Sequence, residues 1–116
     1  MSTYLRRSIA AAAASIALVV TLPHSAGAAT GEFQYTYVGD FGDRITGSLE
    51  DPDSGVCITL PEVADPGSTE PAFAPRNMTD STVTMFTGPD CEGDYYSLRP
   101  GGKASDRLKM RSVVFS

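Results

Sequence analysis

Arg107, Lys109 and Arg111 alternate with Leu108 and Met110 near the C-terminus. In a strand, successive side chains point to opposite faces, so this spacing predicts three cations on one face and two apolar groups on the other. Such a stripe could take phosphate, an acidic glycan or an acidic protein patch. The alternative is a solvated strand face whose charges discourage edge-to-edge pairing. Charge around it is uneven. From Glu32 to Asp94 thirteen acids face only Arg44 and Arg76, a balance of −11, whereas from Tyr95 onward five cations face only Asp106, a balance of +4. The acidity of the whole argues against nucleic acid, whose phosphates ask for a basic footprint.

Catalytic residue types are scarce. The one histidine, His24, lies in a segment built like a removable leader: Arg6 and Arg7, an apolar run from Ile9 to Leu22, then Pro23 and the small residues 25–29. Ala26 and Ala28 make an A-x-A cleavage site, predicting a signal peptide over 1–28 and one secreted domain over 29–116. The apolar run is shorter than the ~20 residues of a membrane-spanning helix, so no span is expected in the mature chain. The arginine pair fits either general secretory or twin-arginine export. Cleavage removes the imidazole needed for a Ser-His-Asp or Cys-His site and for a histidine-ligated metal. It leaves 88 residues with seven basic and fourteen acidic side chains, a net of −7.

Cys57 and Cys91 are the only cysteines. An oxidising destination favours joining them, which leaves no thiolate for catalysis and braces a domain too small for a large core. Glycoside hydrolysis by paired carboxylates needs a cleft of defined width. Asp40, Asp43, Asp51 and Asp53 instead sit in turn-like sequence where aspartate is ordinary. The expectation is a protein with no catalytic residues, no metal and no cofactor. Asn77-Met78-Thr79 matches a glycosylation sequon, a weak pattern.

The elements that position these residues read as short strands. Phe33, Tyr35 and Tyr37 alternate with polar residues and share one face, as a core or as a row of exposed aromatics. Strands follow over 45–49, 56–60, 82–87, 94–98 and 107–115, about six in all, separated by Gly, Pro and Asp turns. The sixteen residues 61–76, with Pro61, Pro66, Pro71 and Pro75, read as a long surface loop. Together these predict an all-β sandwich or small barrel of six to eight short strands.

Residues 82–115 resemble a βγ-crystallin Greek-key motif. Val83 to Phe86 leads into Phe86-Thr87-Gly88-Pro89-Asp90-Cys91-Glu92-Gly93, with Phe86 and Gly93 in the register of that family's folded hairpin and Ser112 before the closing strand. The resemblance implies that the glycine supplies a positive φ and that the serine hydroxyl satisfies backbone groups in the fold-over. Cys91 replaces the second aromatic, and Arg107-Leu108-Lys109-Met110-Arg111-Ser112 departs from the family's calcium signature, so this half is expected to be metal-free. The chain is also similar to small secreted β proteins of high-GC soil bacteria, among which the Streptomyces metalloproteinase inhibitors and killer-toxin-like proteins share this architecture.

The resulting expectation is a monomeric extracellular binding protein whose partner is a protein or a cell-envelope component. One form is a protease inhibitor presenting the 61–76 loop, with Pro66 and Pro71, beside the disulfide. The other is a toxin-like or envelope-binding protein acting through the basic face of Arg107, Lys109 and Arg111. A purely structural crystallin-like module is a third.

Overall fold

The alternation of Phe33, Tyr35 and Tyr37 does build a strand. In the computed structural model, which describes residues 27–116, β1 spans Gly31–Val38, with Phe33 and Tyr35 buried and Tyr37 half-buried. The turn at 39–43 is closed by the Gly39 N–H donating to the Asp43 carbonyl at 2.8 Å. The chain returns as β2, Arg44–Glu50, paired without a break from Glu32↔Glu50 to Val38↔Arg44. Gly47 of β2 is required by packing, because a Cβ there would stand 2.5 Å from the Tyr35 ring. The predicted leader lies outside the described residues except for Gly27 and Ala28; Ala28 bridges to Asp53 and Ala29 is buried.

Six more strands follow: β3 (Cys57–Thr59), β4 (Ala72–Thr79), β5 (Val83–Phe86), β6 (Tyr95–Leu98), β7 (Lys109–Met110) and β8 (Ser112–Phe115). They form two antiparallel sheets, ordered β2-β1-β4-β7 and β3-β8-β5-β6. Each sheet thus holds three strands from one half of the chain and the third strand of the other half. Between them lies one core, built from Phe33, Tyr35, Ala72 and Met110 on one side and Val83, Met85, Val113 and Phe115 on the other. Phe33 meets Phe115 edge to face across the sheets at 5.6 Å. Burying each such side chain contributes roughly 1.5–3 kcal/mol. The chain is all-β, as its patterning predicts. Among the described residues no helix is long and apolar enough to cross a membrane.

Eight strands fall within the expected six to eight, and the two beyond the six runs read along the chain have separate origins. First, the second half of the presumed 61–76 loop is a central strand, β4. Pro75 hid it, since proline cannot donate to a ladder. The structure accommodates it in a bulge: β4 advances from Phe73 to Arg76 while β1 advances only from Thr36 to Gln34, and Ala74 takes a φ of 53°. Second, 107–115 is not one strand. It changes sheets at Arg111, with β7 in the first sheet and β8 in the second.

Cys57 and Cys91 are joined, Cα to Cα at 6.0 Å across a separation of 34 residues. The bond ties edge strand β3 to the 3-10 turn Pro89–Cys91 of the β5–β6 connection. That connection folds back on itself. Asp90 and Cys91 are left-handed at φ 60° and 57°, and Gly93, at φ 93°, leaves no room for a Cβ beside the Thr87 hydroxyl. The Ser112 hydroxyl closes the fold, accepting the Cys91 N–H at 2.8 Å and donating to the Gly88 carbonyl at 2.6 Å. Phe86 is half-buried and packs its ring 6.0 Å from that of exposed Tyr95.

Candidate functional site

The residues 61–71 join β3 to β4 and form a shaped segment. Pro61 starts a 3-10 turn, Pro61–Val63, where its fixed φ suits the first helical position. Buried Val63 anchors it. Asp65 then organises the next turn, its carboxylate accepting the Gly67 N–H at 2.9 Å and the Ser68 hydroxyl at 3.0 Å. These bonds, the Gly67 one foremost, and the nearby Arg111 charge hold its pKa below the usual range. The Asp65 carbonyl also accepts from the Thr69 N–H and hydroxyl. Ala64 to Ser68, Pro66 included, face solvent.

Two side chains fasten this segment from below. Arg111 is only 7% exposed, and its guanidinium donates to the Val63 carbonyl at 2.9 Å, the Thr69 hydroxyl at 3.1 Å and the Thr69 carbonyl at 2.7 Å. The Tyr35 hydroxyl donates to the Glu62 carboxylate at 2.7 Å. Burial, followed by that carboxylate, pushes the Tyr35 phenol pKa well up. A fixed planar donor fork from Arg111 and a rigid ring from Tyr35 leave the exposed turn little freedom.

The predicted cationic stripe is therefore corrected. Alternation fails at Arg111 because the chain crosses between sheets there, and the third cation turns inward under the loop. Arg107 is exposed, and Lys109 lies on the outer face of the first sheet with its ammonium 4.7 Å from the centre of the Phe73 ring. Arg44, from β2, covers the same ring at 5.0 Å and also reaches Asp106 at 3.8 Å. Such cation–π contacts contribute roughly 0.5–1 kcal/mol each.

Around Phe73 the surface sinks into a recess of about 260 Å³ lined by Val38, Arg44, Glu70, Pro71, Phe73, Asp106 and Lys109. A second hollow of about 330 Å³ adjoins it through Val38 and Glu70 and runs between the 39–42 turn and Ser68–Thr69. Phe41, 97% exposed, stands at that turn. The structure so brings Pro66, Pro71, Lys109 and Arg111 to one end of the molecule. It leaves Cys57, Cys91, Phe86, Gly93 and Ser112 with the folded hairpin. Arg44, Glu70, Phe73 and Asp106 escape sequence reasoning, since Pro75 masks the strand that places Phe73. Asn77 of the sequon is fully buried, its amide donating to the Ser81, Leu98 and Arg99 carbonyls and its oxygen accepting from Thr79.

Among the described residues no three His, Cys, Asp or Glu side chains are grouped to hold a metal. What this end offers chemically is a preformed convex turn beside a mixed-charge, aromatic-floored hollow, which is a shape for contact. Comparison of the chain with protein-family models, curated proteins and solved structures yields no match.

Proposed function

We propose that the protein is a small extracellular, non-enzymatic binding protein that presents the 61–71 turn to a protein partner, a secreted protease being the partner class that fits best. The observation carrying this reading is the Arg111 fork beneath Val63 and Thr69. Placing a cation in a nearly closed site is costly, and here it serves to hold an exposed turn in one shape. A turn ordered beforehand loses little entropy on docking. The disulfide and the leader-like N-terminus support export. The exchange of third strands between the sheets and the Ser112 clasp support a βγ-crystallin-like Greek-key build.

The test is inhibition of secreted zinc metalloproteases and serine proteases by the oxidised protein, followed by initial rates and by mapping any cleavage. An exposed Ala64→Arg change should abolish inhibition without altering thermal stability. Cleavage within 64–68 with no slowing of either protease class would sink the protease reading. A second reading, attachment to an anionic cell-envelope component, is supported by Arg44 and Lys109 flanking Phe73. Lys109→Glu would weaken envelope binding but leave protease inhibition intact.

A further inference from the structure

We propose that β2 is a dimerisation edge, through which two copies of this chain join as antiparallel neighbours centred on Gly47. Of the four strands that end a sheet, β2 is the longest, with seven residues against four in β6, three in β3 and two in β7. A free edge offers a row of unpaired N–H and C=O groups, and folds ordinarily blunt it with proline, lysine, a bulge or a covering segment. Arg44-Ile45-Thr46-Gly47-Ser48-Leu49-Glu50 carries no proline or lysine and pairs with β1 without a bulge. Along it, five residues are exposed, and only Gly47 and Leu49 are half-buried.

The segment is complementary to its own reverse. A two-fold axis through Gly47 sets Arg44 opposite Glu50 of the second copy, Ile45 opposite Leu49 and Thr46 opposite Ser48, each pairing occurring twice. The match holds face by face. Ile45 and Leu49 sit across from Tyr37 and Phe33 on the core side, while Arg44 and Glu50 sit across from Val38 and Glu32 on the outer side. Sliding the ladder by two residues in either direction loses both ion pairs and both apolar pairs, so the register is specified.

The charges within one copy are poised for this. Glu50 faces Glu32 across the ladder and immediately precedes Asp51, and their repulsion, Glu32 first, raises its carboxyl pKa. The second copy's Arg44 supplies a cation there. Arg44's own contact to Asp106 is 3.8 Å long and well exposed, so it yields readily. Asp51, where the ladder ends, bends away at φ 44° with its carboxylate on the Gly31 N–H, which keeps it off the second copy's Asp43. The product is an eight-stranded sheet continuous through both molecules, in place of the monomer expected from sequence.

Sedimentation equilibrium of the purified oxidised protein, from micromolar to millimolar concentration, tests the proposal. A monomer–dimer equilibrium is expected. Arg44→Glu or Glu50→Arg should each weaken it about tenfold or more, and the double exchange should restore it, with circular dichroism reporting that each variant is folded. A wild-type chain that stays monomeric throughout overturns the proposal. So does dimerisation unchanged by Arg44→Glu, or a folded double exchange that fails to recover the dimer.

Discussion

Arg111 holds the carbonyl of Thr69 at 2.7 Å from 42 residues away in sequence, and this bond connects the sheet-crossing point of the C-terminal segment to the exposed turn. Its second nitrogen adds the Val63 carbonyl and the Thr69 hydroxyl. One side chain thus couples the fold's topology to its most distinctive surface.

Arg111→Ala is expected to cost roughly 2–4 kcal/mol, because charge-assisted bonds vanish and buried carbonyls lose their donors. Arg111→Lys should recover only part, since a single ammonium lacks the planar fork. Denaturant midpoints measure the loss, and hydrogen exchange should rise first over 64–70.

Reducing the disulfide, or changing both Cys57 and Cys91 to Ser, should lower stability by about 3–4 kcal/mol for a loop closed over 34 residues. Thermal unfolding with and without reductant gives the value. An unchanged midpoint would mean that the Asp90 N–H donating to the Thr59 hydroxyl at 3.0 Å, with the Ser112 clasp, already holds the β3 edge and the hairpin together.

Alkaline pH should destabilise the protein through Tyr35. Its folded pKa lies above the unfolded value of ~10, so its contribution is fully present below that pH and is lost as pH rises beyond it. Urea midpoints taken from pH 8 upward should fall more steeply than those of Tyr35→Phe. Parallel curves for the two proteins would show the phenol has no part in it.

Ser112→Ala removes a donor and an acceptor together and leaves the Cys91 N–H and Gly88 carbonyl without that partner, at a cost of roughly 1–3 kcal/mol. Ser112→Thr keeps the hydroxyl but must fit a methyl where Ser112 is fully buried. The pair of variants, compared by equilibrium unfolding, separates the hydrogen bonds from the packing.

Much of the fold was legible because it rests on local rules. Phe33 and Tyr35 face the core as period-two alternation requires, and the only two cysteines meet in the one disulfide they can form. What sequence hid were places where long-range packing overrides a local rule. Pro75 sits in a central strand because a bulge with Ala74 in the left-handed region absorbs its missing donor. Arg111 breaks the Arg107–Lys109 alternation because the chain switches sheets, a change of topology that spacing does not encode. The recess around Phe73 was invisible for the same reason, since it needs Arg44 and Lys109 from opposite ends of the first sheet.

The trading of third strands also sets an order of assembly. The first sheet waits for Lys109–Met110, and the second is without one of its two central strands until Ser112–Phe115 arrives. A chain emerging N-terminus first, from a ribosome or through a translocon, therefore has neither layer finished until its last stretch is free. Neither sheet can be completed before residues 109–115 are free, so closing of the core belongs to the end of synthesis.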